Sequence, residues 1–574
     1  MNRSLRCTLI VGILFSTACT LADEPKSAVD RLFDPQHLVD VQITIDEEDW
    51  DDVRLPTRSF FDALQNVKAE SPFKYRKATV TIDGVVVKDV GIRKKGFLGS
   101  LDTDRPSLKI RFDKYVDQAP FGDLDRLTLN NNKQDPSRLS QYLSYKLFNE
   151  SGTVASRCNF AKVTVNGRSL GIYANVESVK PAMLKRGFGD GSGALFEGTL
   201  ADFHVSHFDK FEPKNDKAKT ENLRAIAELL QDENLDLEKL DSLIDVDAFV
   251  KFWVMESLIG FWDGYGQNQN NFFIYLNPKD SKFYFLPWGT DSAFTYFLPP
   301  GFGRIGIRSV HHQSVLCNRL YHHAATRKLY RKTLEDILSK HWNEESMLAE
   351  IDRVESMLKD EIHESNKKFA SSTNQVRRFV KGRRSIVERE LKRWPIEVTI
   401  GPREPMFAKL IGHGKAKITT EWYSNSPSKP ETRGNVEIEL TMNDKPITFK
   451  QIGAVAQPNQ DRNLPNQNGR RPPSINLTGV RSDGKQITYA MGFDASLFQP
   501  SRQPVKAFGV VIEGSMVWFV ARAVMNPMSL TFVDVQAKFD EAGMEPGDPV
   551  RGELELRILK FAGGKSPTVR WKKD

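Results

Sequence analysis

Two acids and a run of side-chain amides hold the chemistry open to this sequence. Asp263 lies in Phe261-Trp262-Asp263-Gly264-Tyr265-Gly266-Gln267-Asn268, five residues before the amide of Asn268. The run sits between an apolar helix-like segment and the apolar strand-like Asn271-Phe272-Phe273-Ile274-Tyr275. Asp291 follows in Leu286-Pro287-Trp288-Gly289-Thr290-Asp291. One carboxylate beside an acceptor hydroxyl, with an amide and a second carboxylate on a metal ion, is a set suited to phosphoryl transfer. Each residue also has a plain reading. Asp263-Gly264 is a common turn pair. The asparagines can bond their own backbone. Asp291 can cap a short helix beginning at Ser292. The Gly-rich run from Gly187 to Gly193 lacks the Lys and Ser/Thr of a phosphate loop and reads as a turn.

The elements that must position these groups are legible by pattern. Val39 to Ile45 alternates as a strand, and Asp46-Glu47-Glu48-Asp49-Trp50 opens a helix with acids in its first turn. Asp83-Gly84 between Ala78–Ile82 and Val85–Val87 predicts a hairpin, as does Asn166-Gly167 between Ala161–Val165 and Gly171–Glu177. Ser107 to Phe112 alternates and carries Lys109, which alone reads as an edge-strand lysine. Glu177 alone reads as a solvated strand end. Asp135 and Pro136 suit a helix start, with Leu139, Leu143 and Leu147 recurring every four residues. Residues 220–261 and 320–393 read as helical, the latter ending in the basic run Arg377 to Arg384, a solvated face. Beyond Pro395 strand-like runs dominate, including Val436–Leu440, Phe508–Ile512, Val517–Val520 and Leu554–Ile558. They predict an all-β, sandwich-like module, with a loop from Gln457 to Pro473.

The 574 residues carry a formal net charge of +7, an excess too small for this size to argue for nucleic acid. Arg3 and Arg6 precede a short apolar stretch from Cys7 to Phe15, then small residues and Thr20-Leu21-Ala22. That is the pattern of a secretory leader cleaved after Ala22, with lipidation at Cys19 as the alternative. No segment is long and apolar enough to be a transmembrane helix. Cleavage would leave Cys158 and Cys317, either as one disulfide or as two buried thiols.

The order of several short segments resembles the spore coat protein H (CotH) kinase family, a divergent protein-kinase-like group. They are Gly91-Ile92-Arg93-Lys94-Lys95-Gly96 with Ser107 to Phe112; Pro136 to Tyr145; Val165-Asn166-Gly167 with Gly171-Ile172-Tyr173 and Val176-Glu177; and Asn270 to Tyr275 with Leu286 to Asp291. The resemblance implies an α+β fold: an atypical protein-kinase-like core over 23–296, its helical part over 297–395, and a β-rich domain over 396–574 after a leader at 1–22. It implies Lys109 as the phosphate-binding lysine with Glu177 as its ion-pair partner, and Asp263 as the catalytic acid. It also implies Asn268 (or Asn271) and Asp291 as metal ligands, Trp288 under the nucleotide, and Arg93 and Lys95 near phosphates. ATP and Mg²⁺ or Mn²⁺ would be the cofactors, and Ser or Thr of an exported chain's protein partner the acceptor. A surface or matrix ligand would suit the β-rich domain. The family usually reads Trp-Asp-x-Asp at the second acid, where this chain has Gly289. The rival expectations are a non-catalytic surface or coat binding protein on the same scaffold, or a metal-dependent phosphohydrolase.

Overall fold

The computed structural model describes residues 27–64, 71–97, 100–205, 210–296, 308–363, 366–459, 471–500, 503–514 and 530–563. The expected leader with Cys19 and the expected strand Val517–Val520 lie outside the described residues. The fold is mixed α+β.

Strands β1 (Leu38–Thr44), β2 (Arg76–Ile82), β3 (Val85–Lys94), β4 (Leu108–Arg111), β5 (Arg126–Asn130), β6 (Cys158–Val165) and β7 (Arg168–Val176) form a closed barrel. Its order is β1-β2-β3-β4-β5-β7-β6, and parallel pairing of β1 with β6 closes it. Both predicted hairpins form. Asp83 and Gly84 take φ of 48° and 83°, and Asn166 and Gly167 take 48° and 80°. Two successive positive φ values give the turn that matches strand twist, and these residue types adopt them cheaply. Alternation sends Val39, Val41, Ile43, Val80, Ile82, Ile92, Leu108 and Ile110 into one buried cluster. Arg93 and Lys109, paired across β3 and β4, therefore share the other face.

The helix after β5 begins later than its composition suggests, at Leu139, and runs to Glu150. Asp135 still satisfies its first turn, because its carboxylate accepts from Ser140 N at 2.7 Å. Beyond the barrel lies a four-stranded sheet in the order β11-β10-β8-β9, made of β8 (Ala194–Gly198), β9 (Phe211–Pro213), β10 (Phe272–Leu276) and β11 (Phe283–Pro287). The expected helical stretch over 220–261 is three helices, Glu221–Leu229, Leu237–Leu243 and Val246–Leu258. The breaks follow capping, since Asp236 and Asp245 accept from Lys239 N and Ala248 N and start new helices. Helices Val315–His322, Ala324–Lys340, Glu344–Leu358 and Phe369–Leu391 complete this half. Phe249, Phe252, Trp253, Tyr265, Phe272 and Phe285 share its core, with the Tyr265 and Phe272 rings 4.7 Å apart.

The C-terminal region is β-rich, as expected. Its strands are β12 (Met406–Glu421), β13 (Asn435–Met442), β14 (Lys445–Pro446), β15 (Phe449–Pro458), β16 (Pro473–Arg481), β17 (Gln486–Gly492), β18 (Val505–Glu513), β19 (Thr531–Ala542) and β20 (Pro549–Gly563). Among the described residues they form one nine-stranded sheet, β14-β13-β12-β20-β19-β18-β17-β16-β15, rather than two separate sheets. The sheet curls on itself, so that Trp422, just past β12, bridges Ala456 of β15. This region also packs on the short helix Phe60–Leu64. Phe61 and Leu64 bury against Ala408 and Leu559, and Asp62 pairs with Lys506 Nζ at 2.9 Å and Arg557 Nη2 at 2.7 Å. Ser59 Oγ donates to Asp534 at 2.5 Å.

Cys158 and Cys317 are free, buried thiols, which removes the disulfide alternative. Among the described residues no helix is long and apolar enough to cross a membrane.

Candidate active site

The acid-bearing loop is built by the end of helix Val246–Leu258. Gly260 takes φ 64° and reverses the chain. Glu256, fully buried on that helix, then accepts from Tyr265 N at 2.9 Å and Gly266 N at 2.8 Å. A side chain at Gly264 would collide with this carboxylate and with the Phe261 ring. Burial, with the charge of Asp263 adding to it, pushes Glu256 up to about 8.

Asp263 is held by three amides. Its Oδ1 accepts from Asn268 Nδ2 at 2.6 Å and Asn270 Nδ2 at 3.1 Å, and its Oδ2 from Asn271 Nδ2 at 2.9 Å. Burial raises its carboxyl above the ordinary range, against the pull of these donors and of Arg403. The Asn268 amide can face only one way. A carboxylate requires its nitrogen, and the Arg403 guanidinium requires its oxygen, which accepts from Nη1 at 2.7 Å. Asn268, expected as a metal ligand, thus places its oxygen on Arg403 and its nitrogen on Asp263. Asn271, at φ 53°, turns its Oδ1 toward Gly289, 2.9 Å from where a Cβ on that glycine would stand.

Asp291 lies inside the 3₁₀ turn Thr290–Ser292 after β11, rather than capping a helix. Burial first, then the charge of Asp263, pushes it up to about 7, while Lys95 opposes the rise. Gly289 explains the missing acid of the family pattern in local terms. Its φ is 56°, its N–H donates to the Tyr145 hydroxyl at 3.1 Å, and Asn271 fills the space beside it.

A cationic wall comes from the barrel. Lys109 is lowered to about 7, by burial first and then by Arg93, Lys95 and Lys214, with Glu197 opposing. Burial would raise the carboxyl of Glu197 on β8, but Lys214, Lys109 and Lys95 hold it below the usual range, and Lys214 Nζ bonds it at 2.6 Å. Lys95 lies 5.8 Å above the Trp288 ring, in the fields of Asp291 and Glu197. Trp288 packs edge-on against Phe273 at 5.5 Å. Arg93 sits over the Tyr75 ring at 5.2 Å. Lys94 points to the opposite face and donates to Arg54 O at 2.6 Å.

Glu177 does not pair with Lys109. Its carboxylate accepts from Arg157 Nη2 at 2.8 Å and Arg186 Nη2 at 2.7 Å, so the acid facing Lys109 is Glu197. The structure therefore brings Lys109, Lys95, Arg93, Trp288, Asp291, Asp263 and Asn268 to one region and leaves Glu177 outside it. Sequence reasoning missed Glu197, Glu256 and Arg403. Glu256 did leave a signal, a lone acid in the apolar run Phe252-Trp253-Val254-Met255-Glu256.

The residues fit a divalent cation with a polyphosphate. The charge of half-buried Asp263 raises the carboxyl of buried Asp291, while Arg93, Lys95 and Lys214 weaken Lys109's hold on its proton for want of an anion. Among the described residues no group of three or more His, Cys, Asp or Glu is placed to hold a metal ion. A cation here would need phosphate oxygens to complete its shell, as Mg²⁺ often does.

Comparison with known proteins gives one family, described as CotH kinase protein, which matches residues 92–388, or 297 of 574. The chain is 25% identical over 194 residues to Invasin CotH2 of Rhizopus delemar, covering 30% of this chain and 33% of that protein. It is 25% identical over 232 residues to Spore coat protein homolog 1 of the same organism, covering 37% and 38%. It is 22% identical over 277 residues to Inner spore coat protein H of Bacillus subtilis, covering 44% of this chain and 75% of that protein. The chain thus spans little more than a third of the length of the two Rhizopus proteins.

Proposed function

Because the chain belongs to the CotH kinase protein family, we propose that it is an exported, metal-dependent protein kinase, transferring the γ-phosphoryl group of ATP to a Ser or Thr hydroxyl of a protein. One observation carries this reading: the half-buried cations Lys109, Lys95 and Arg93 share a region with the half-buried Asp263 and the buried Asp291, with Lys95 in the field of Asp291. That charge separation suits a cation-bound triphosphate lying between them.

Lys109 and Lys95 bind phosphate oxygens and gain back the charge that burial makes costly. Glu197 keeps the two ammonium groups from drifting apart, much as a lysine's ion-pair partner does in other kinases. Trp288 supplies an apolar floor near Lys95. Asp291 and the Oδ1 of Asn271 would hold Mg²⁺ or Mn²⁺, which when bound neutralises charge developing on the phosphate oxygens. Asp263 orients the acceptor hydroxyl and takes its proton. Three amides fix its rotamer, and burial makes it a stronger base than a solvated aspartate. The basic, apolar start of the sequence supports export, and the names of relatives, invasins and spore coat proteins, support a surface or coat location. The β-rich region would then be free to hold a surface or matrix partner.

The test is purified full chain with labelled ATP, Mg²⁺ or Mn²⁺, and a Ser/Thr-containing protein acceptor. Label on the acceptor is expected, falling about 10²- to 10⁴-fold in Asp263→Ala. Nucleotide at about 100 times its Kd should still stabilise that variant by about 2.7 kcal/mol. Binding without transfer in the wild type would favour a non-catalytic scaffold, and acceptor-independent phosphate release a hydrolase.

A further inference from the structure

Arg403 stands beyond residue 388, where the family match stops, in the segment that leads into β12. Its buried guanidinium spends its donors on the acid-bearing loop. Nη1 donates to Asn268 Oδ1 at 2.7 Å and Nη2 to Asn268 O at 2.7 Å. Nη2 and Nε both donate to Gln269 Oε1, at 2.8 and 3.0 Å. The backbone of Arg403 is fixed as well. Its N–H donates to Gln313 O at 2.8 Å, and its carbonyl accepts from Gln269 Nε2 at 3.0 Å.

We propose that Arg403 is a positioning residue for phosphoryl transfer, supplied by the link to the C-terminal sheet, which sets Asn268 so that its nitrogen orients Asp263. The physical reason is the amide's two ends. With the oxygen committed to a guanidinium, only the nitrogen can meet the carboxylate, so the rotamer of Asp263 is set from a distance. A planar fork with several donors does this; a lysine, with one mobile ammonium, cannot hold both Asn268 oxygens and Gln269 at once. The link continues into β12, which pairs with β20 from Met406 to Glu421. On β20, Arg557 is tied to Asp62 of the barrel-side helix. The sheet thereby grips the barrel at one point and reaches the acid-bearing loop at another.

The activity arm of the test rests on the kinase reading, and a second arm does not. Full-length Arg403→Ala and Arg403→Lys are compared with the wild type by amide hydrogen exchange. The amides of Asn268, Gln269 and Asn270 bond to Gly264 and Tyr265 carbonyls and report the loop directly. Exchange there is expected to rise about tenfold in both variants, with peptides of β20 unchanged. In the transfer assay kcat falls about 10²-fold with KM for nucleotide little changed, as a slight misplacement of the acid predicts. Added methylguanidinium restores part of kcat to Arg403→Ala and none to Arg403→Lys. Unchanged exchange over 268–270 in both variants, or undiminished kcat, overturns the proposal. If the wild type transfers no phosphate, the kinase reading falls, and the exchange arm still decides what Arg403 holds. Should Arg403→Ala fail to fold, the lysine variant carries both arms.

Discussion

Nucleotide binding should be accompanied by proton uptake at Lys109. The amine is lowered from its ordinary 10.5 to about 7 by burial among cations. At pH 8 a group of that pKa is only about 10% protonated. Phosphate oxygens beside it restore the charged form, so Lys109 takes up about 0.9 proton per nucleotide bound at pH 8. Asp291, raised to about 7, is by the same arithmetic about 90% ionised at pH 8, so its loss of a proton to a cation offsets only about 0.1 of this. Titration calorimetry with Mg²⁺ and a non-hydrolysable ATP analogue, repeated in buffers of different ionisation enthalpy, counts the protons. Lys109→Met is expected to lower the uptake at pH 8 by close to one proton while weakening binding. Equal uptake in the two proteins would show that the phosphates do not lie against Lys109, and the cationic wall would lose its assigned role.

Glu256 bears on stability. Its folded pKa of about 8 is above the ordinary 4.5, so the folded chain binds the extra proton between those values. Its contribution is complete below about pH 4.5 and fades as pH rises through about 8. Thermal melts should therefore show wild-type Tm falling more steeply than that of Glu256→Gln between pH 5 and 8; parallel curves would contradict the buried acid. Gly289→Ala is expected to cost about 1–2 kcal/mol in urea unfolding, because φ 56° disfavours a Cβ and Asn271 crowds it. A neutral effect would mean that the turn relaxes.

What was legible in the sequence was local. Asp83-Gly84 and Asn166-Gly167 announce their turns through their own backbone preferences. The helical character of 220–261 is legible too, and its breaks are written in the chain, as Asp236 and Asp245 each cap a new start. The partner of Lys109 was not legible. Glu177 and Glu197 are both glutamates at strand ends, and only the packing of β8 beside the barrel decides which one faces the lysine. Arg403 was beyond reach for the same reason. It meets Asn268 across 135 residues of chain, and nothing in its Pro-flanked surroundings marks it. The partner of the Asn268 oxygen likewise comes from outside the motif.

The contact of Asp62 with Arg557 spans 495 positions of sequence. Composition invites a cut at Pro395, yet a fragment ended there would strip Asp62 of both its cations and lay Phe61 and Leu64 bare. The same truncation would leave the Asn268 carbonyl groups without their guanidinium. Two regions that look separable by composition are thus one cooperative unit at these points, and substitutions in the last strand bear on how the first helices sit.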